Sequence, residues 1–283
     1  MDLNKYLPVG IDSETIPTQN QEIIERLKVA SASKAVAPEM TKPDYLEALK
    51  DTAYPLGGLK VADLKALWMQ EFGGAAMLKA FEAEYRKLSF DAVGGGEVVA
   101  VAGHAFGMNA TVSNYRWLEQ GTPETNMLPT QAGPTEAELI DKFFRWLEGV
   151  NQFAEGQRKK MLLVGANVRG FDIKFMARRA LHLGVTLPNF PLCDTGYISK
   201  RYFDVIEVFG FYDRTDRYKL KTICEFLGIE SPKADDLGEI DGSMVWDIWA
   251  NNGKEGAERI CKYCARDAVV LEPIFNKLHW LVE

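Results

Sequence analysis

The sequence predicts an α/β protein in which a mixed β-sheet is flanked by helices. Three observations carry this. Apolar runs of strand length open the chain at "VGI" and return at "EVVAVAGHAF" and "MLLVG". Longer segments between and after them repeat apolar residues at helical spacing. Strands come early and helices are interspersed later, the order expected of one sheet covered by helices. We expect a single domain over 1–283, with a mostly helical insertion after the first strand at about 20–88.

The elements follow in order. "VGIDSETIPTQ" is a strand that stops at Pro17. "NQEIIERLKVA" then begins a helix, with Asn20 placed to cap it and Glu22 in its first turn. "KPDYLEALKD" and "GAAMLKAFEAEYRKL" also carry helical spacing, and the stretch between them is broken by Pro and Gly pairs that read as turns. Trp68, Phe72, Phe81 and Tyr85 of this region read as core. A Gly-rich turn feeds a strand at 98–106, and "ATVSNYRWLE" is expected to be a third. After the loop "GTPETNMLPTQAGP" comes the helix "TEAELIDKFFRWLEGV", where Thr135 and Glu138 have capping-box spacing. Next come an apolar strand at 161–164, the loop "GANVRG" and a helix at 171–183. "FPLCDT" is expected to be a short strand, and "DRYKLKTICEFLG" and "GSMVWDIWAN" two helices. A closing helix runs from about 254 to 278, which Pro273 should kink or break.

Composition narrows the function classes. The chain is 47% hydrophobic and 26% charged, the balance of an ordinary soluble globular protein. No apolar run approaches the ~20 residues of a membrane span. "MDLNKYLPVG" lacks the charged and apolar regions of a signal peptide, so a cytoplasmic location is expected. A net charge of −7 argues against coating nucleic acid through bulk positive charge, yet leaves room for an enzyme that holds a strand end locally. Basic residues at 158–160, 178–179, 200–201 and 214–221 read as solvated surface, with a phosphate track as the alternative. The four cysteines are Cys193, Cys224, Cys261 and Cys264; the last two form a CxxC inside a helical stretch, with no second ligand pair for zinc. They read as buried thiols.

The acidic residues are the informative ones. Strand alternation puts Asp12 and Glu14 on one face, and like charges that close need a counter-ion, for which a divalent metal is the usual choice. Asp172 stands at the expected helix start, where an ordinary first-turn carboxylate is the simpler reading. Asp267 lies in the apolar stretch "ARDAVVLEPIF", four residues after Tyr263 and so on its face of the helix. A buried acid there needs a partner.

"IDSET", "NVRGFD" and "YCARD" resemble, in this order, the three motifs of the DEDD (DnaQ-like) 3′–5′ exonuclease superfamily. The Tyr-x3-Asp ending is similar to the DEDDy branch; Lys262 stands where the other branch carries His. "IDSETIP", "GGGEVVAVAG" and "EIDGSMVWDIW" further resemble the group related to the exonuclease domain of family B DNA polymerases, of phage and prophage type. The resemblance runs from about residue 9 to 278 and is weakest over 20–88. It implies a ribonuclease H-like fold and metal-dependent hydrolysis of phosphodiester bonds from 3′ ends. Single-stranded DNA is the favoured partner, with RNA as the alternative, and no membrane is involved. Two divalent ions, Mg²⁺ or Mn²⁺, would be held by Asp12, Glu14, Asp172 and Asp267, with Asp12 bridging both. Tyr263 would position the attacking water, while Thr15, Asn167 and Phe171 would contact the terminal nucleotide. Asp194, Asp204 and Asp241 read as structural. A catalytically silent binding module and a redox protein built on Cys261 and Cys264 are the competing classes; the intact acids disfavour the first and the mid-helix position of the pair disfavours the second.

Overall fold

A computed structural model describes residues 2–108, 110–119, 130–131, 133–192, 201–230 and 240–282. The chain runs through β1 (Tyr6–Ile16), then α1 (Gln21–Ala32), α2 (Lys42–Leu49) and α3 (Val61–Lys87). It continues through β2 (Glu97–Ala105), β3 (Ala110–Tyr115) and a short antiparallel pair, β4 (Leu118–Glu119) and β5 (Thr130–Gln131). Then follow α4 (Glu136–Gly156), β6 (Lys160–Gly165), α5 (Asp172–Leu183), β7 (Tyr202–Asp204), α6 (Val205–Phe209), α7 (Leu220–Leu227) and α8 (Val245–Leu278).

The main sheet has five strands in the order β3-β2-β1-β6-β7. β1 pairs antiparallel with β2 and parallel with β6, and β6 pairs parallel with β7. The sheet is therefore mixed, with β1 at its centre. Period-two alternation divides β1 cleanly. Val9 and Ile11 join the core formed with α4 and α5, including Phe143, Phe144, Leu147 and Phe175. Gly10 faces the other way, and a Cβ built on it would lie 2.4 Å from the carbonyl oxygen of Ala268 on α8. Glycine at this position lets α8 settle directly on the central strand. On the same side, Leu162 and Val164 of β6 pack with Val270, Leu271 and Ile274 of α8. Ala100 and Ala102 of β2 pack with Ile260, Cys264 and Ala268. The alternating apolar faces of three strands thus supply two cores, one under each helical layer.

Two compact units divide the chain, one of Met1–Ile16 with Phe90–Glu283 and one of Pro17–Ser89. The second consists of α1, α2 and α3 around the fully buried Tyr45, Leu49 and Leu64, with Trp68 and Phe72 packed against them. Asn20 caps α1 through its side chain, as its position predicts. The Tyr85 hydroxyl donates to the Thr18 carbonyl at 2.8 Å, tying the end of α3 to the start of the unit.

Several details differ from the sequence reading. The last strand of the sheet is Tyr202–Asp204, whereas 190–192 of "FPLCDT" are not strand. Cys193, Asp194 and Lys200 lie outside the described residues. Gly253 (φ 52°, ψ −137°) interrupts α8 between "GSMVWDIWAN" and the closing helix, where the sequence separates them, whereas Pro273, expected to kink or break the closing helix, sits inside a helical backbone. Pro273 has no N–H to donate to the carbonyl of Val269. Arg179, assigned to the surface with Arg178, is buried and bonded through both Nε and Nη2 to Glu136. No helix among the described residues is long and apolar enough to cross a membrane.

Candidate metal centre

The central strand delivers two carboxylates to the α8 side. Asp12 and Glu14 follow Gly10 at period two, and α8 presents Asp267 one residue before the Ala268 carbonyl that covers Gly10. One oxygen from each of Asp12, Glu14 and Asp267 lies within 4.8 Å of the others. Glu14 and Asp267 are buried, and Asp12 is half-buried. A register shift between β1 and β2 falls at Glu14/Thr15: Glu14 pairs with Ala100 and Thr15 with Val98, leaving Val99 as the extra residue of a bulge. Bulges re-aim the side chains beside them.

The electrostatics of this cluster are one-sided. Burial, and then the negative charges of Glu14, Asp267 and Asp172, push the Asp12 carboxyl well above its usual range. Its Oδ2 is buried without a hydrogen-bond partner among the described residues. The backbone oxygen of Asp12 receives the Cys264 thiol at 3.4 Å, which occupies that sulfur and keeps it out of the oxygen set. Burial foremost, then Asp12 and Glu14, push the Cys264 thiol well up; burial also raises Cys261. Both cysteines therefore stay protonated, the opposite of what redox chemistry requires.

Asp172 belongs to the neighbourhood but not to the three-oxygen group. It opens α5, is only 3% exposed, and accepts a 2.6 Å hydrogen bond from Ser13 Oγ. Burial raises its pKa to about 7, with the Ser13 bond opposing the shift. Ser13, the residue between the two motif acids, points to the opposite face of β1 and was missed by motif reading; its alternation with Asp12 and Glu14 is the signal that marks it. Tyr263 lies one turn before Asp267. Burial, then Glu14, Asp267 and Asp12, hold its phenol protonated far above the normal value, and the hydroxyl is hydrogen-bonded to Asp267. A cavity of about 370 Å³ opens onto Tyr263 and Asp267, with Lys219 and Lys221 on its wall.

The loop before α5 is fixed from two sides. Asn167 has the left-handed φ of 71°, tolerated better by Asn than by most residues. Its N–H donates to Asp204 Oδ1 at 3.1 Å, and its Oδ1 accepts from Arg217 Nη2 at 3.0 Å. Asp204 also caps α6 through Ile206 and Glu207, which makes it structural as expected. Asp241 plays a similar local role, accepting from the Ser243 N–H at 2.9 Å. Phe171 precedes α5 with its ring 5.2 Å from Phe175 and 6.1 Å from Phe90, and Thr15 is buried beside the bulge.

Residues 104–277 match the family described as "Predicted 3'-5' exonuclease related to the exonuclease domain of PolB". The chain belongs to that family. No curated protein matches it. The matched span contains Asp172, Tyr263 and Asp267, while Asp12 and Glu14 precede it. The central position of β1 brings these two outlying carboxylates to the matched Asp267.

The donor set suits a hard divalent cation. It is all oxygen, comes from two distant parts of the chain, and includes a buried carboxylate oxygen that no donor among the described residues satisfies.

Proposed function

We propose that this protein is a metal-dependent 3′–5′ exonuclease that removes nucleotides from the 3′ ends of single-stranded DNA. The observation that carries the reading is the convergence of Asp12, Glu14 and Asp267 within 4.8 Å, in a family of predicted 3′–5′ exonucleases. Asp12, Glu14 and Asp267 hold divalent ions, with Asp172 kept in place by Ser13 as the fourth carboxylate. Two Mg²⁺ or Mn²⁺ ions, when bound, supply Lewis acidity for the attacking water and for the phosphodiester oxygens.

The protein's own groups do the rest. Tyr263, protonated and bonded to Asp267, positions the water through its hydroxyl and is no general base at neutral pH. The Ser13 bond and the Asp204–Asn167–Arg217 chain hold the start of α5 so that Asp172 keeps its orientation. Phe171, Asn167 and the Thr15 backbone line the approach of the terminal sugar and base.

The test is a gel assay with 5′-labelled single-stranded DNA and a matched RNA oligomer, with Mg²⁺, Mn²⁺ or EDTA. The expected result is a metal-dependent ladder that shortens from the 3′ end, stronger on DNA. Asp267→Ala should reduce the rate by on the order of 10³-fold or more, because residues that act as one unit fail together. No ladder on either substrate with a folded protein and both metals would overturn the reading.

A further inference from the structure

A second anionic site adjoins the start of α5. A cavity of about 260 Å³ is walled by Arg169, Lys174, Arg214 and Arg217, with Glu207 and Asp213 as its acids. Asp213 Oδ1 accepts from both the N–H and the hydroxyl of Thr215 at 2.8 Å each. Four cationic side chains face two acids, so the wall carries net positive charge. Arg217 is also anchored, since its guanidinium bonds Asn167 Oδ1 at 3.0 Å. Gly170 makes this possible, because a Cβ there would lie 2.2 Å from the same Asn167 oxygen.

The segment that contributes Tyr212 to the wall is strained. Phe211 and Tyr212 are consecutive non-glycine residues with φ of 51° and 62°, a conformation that persists only when its surroundings enforce it. Phe211 is 75% exposed. Tyr212 lines the cavity itself, and cations together with an aromatic side chain match the needs of a single nucleic-acid strand, which offers phosphates and base faces. The site lies on the outside of the first turn of α5, where Gly170 and Lys174 flank Asp172 while the Asp172 side chain points inward to Ser13.

We propose that this basic cavity holds an internucleotide phosphate of the strand being degraded, upstream of the bond that is cleaved. The proposal rests on the exonuclease reading. It makes the protein sensitive to strand length: oligomers long enough to reach the cavity bind more tightly than those that reach only the acidic cluster.

The experiment measures binding and turnover separately. Fluorescence anisotropy with 5′-labelled single-stranded DNA of 3 and 12 nucleotides is followed in EDTA across a salt series, using wild type and a Lys174→Ala/Arg214→Ala variant. Both replaced residues are exposed, so folding is not at risk. The variant should lose about tenfold in affinity for the 12-mer, nothing for the 3-mer, and about one unit of the salt slope. Lys142→Ala, an exposed cation on α4, should leave the slope unchanged, and Arg214→Lys should restore most of the affinity. In Mg²⁺ the variant should raise KM on the 12-mer while keeping kcat. Equal affinity and slope for variant and wild type would overturn the proposal even if the 3′ ladder forms. An absent ladder with an intact binding difference would overturn the exonuclease reading alone.

Discussion

Two groups of buried charge in the sheet-bearing unit make an instructive contrast. Glu136 takes Arg179 in a two-pronged bond of 2.9 and 2.7 Å, and Arg116 lies 2.9 Å from Glu97 and 3.9 Å from Glu136. Glu136 Oε1 also receives the Val98 N–H, and Arg116 stacks 5.7 Å over Trp249. Two positive and two negative side chains balance in charge. One oxygen from each of Asp12, Glu14 and Asp267 lies within 4.8 Å of the others, and all three side chains are acids with no cation among them. Burial without compensation costs stability in the metal-free protein. The proposed divalent ions would compensate the acidic cluster, whereas the balanced network carries its own counter-charges.

The contrast can be broken by substitution. The largest stability effect is expected for Glu136→Gln, which strands Arg179 and Arg116 in the core; the loss should be about 3–5 kcal/mol in denaturant titrations, with divalent-ion binding retained. Gly10→Ala comes next. Its Cβ would push on the Ala268 carbonyl, costing about 1–3 kcal/mol as an overpacked contact and moving Asp267 away from Asp12. Activity should therefore fall more steeply than stability, since displacement of about 1 Å at a reacting centre costs up to ~10²-fold. Asp12→Asn should do the reverse of Glu136→Gln: it removes a like charge, so the thermal midpoint of the EDTA-treated protein should rise while exonuclease activity disappears.

The smallest effect is on pH. Asp172 and Asp204 titrate in the fold at about 7 and about 6, above the ordinary 3.8, and Asp12 is displaced in the same direction. A carboxyl raised by folding favours the native state in its protonated form. Its contribution is complete below about pH 4 and lost as pH rises through 6 and 7. The EDTA-treated protein should therefore show a lower thermal midpoint at pH 8 than at pH 5.5, measured by calorimetry. Saturating Mn²⁺ should shrink that difference, and an equal difference with and without Mn²⁺ would separate the acids from metal binding.

The acidic centre was legible because its signals are local. Period two on β1 pairs Asp12 with Glu14, and the four-residue spacing on α8 pairs Tyr263 with Asp267. The Asn20 and Thr135 caps were legible for the same reason. What escaped depends on residues far apart in the chain. Ser13 meets Asp172 across 159 positions, and Arg179 meets Glu136 across 43. No window of sequence holds both partners, so an arginine pair reads as surface until α4 and α5 pack. The short β7 escaped because three residues carry too little periodicity to register. The break between the last two helices was read correctly and falls at Gly253, because only Gly adopts its positive φ with ψ near −137° at low cost; the Pro273 kink did not form.

Asp12, Glu14 and Asp267 must hold a divalent ion for the proposed chemistry to run. The most direct measurement is an electron paramagnetic resonance titration of Mn²⁺ into metal-stripped protein, which reads free ion directly. Wild type and Glu136→Gln should both take up Mn²⁺, and Asp12→Asn should weaken the uptake by at least tenfold. Mn²⁺ that stays free in the presence of wild type, or binds Asp12→Asn equally well, would contradict the account.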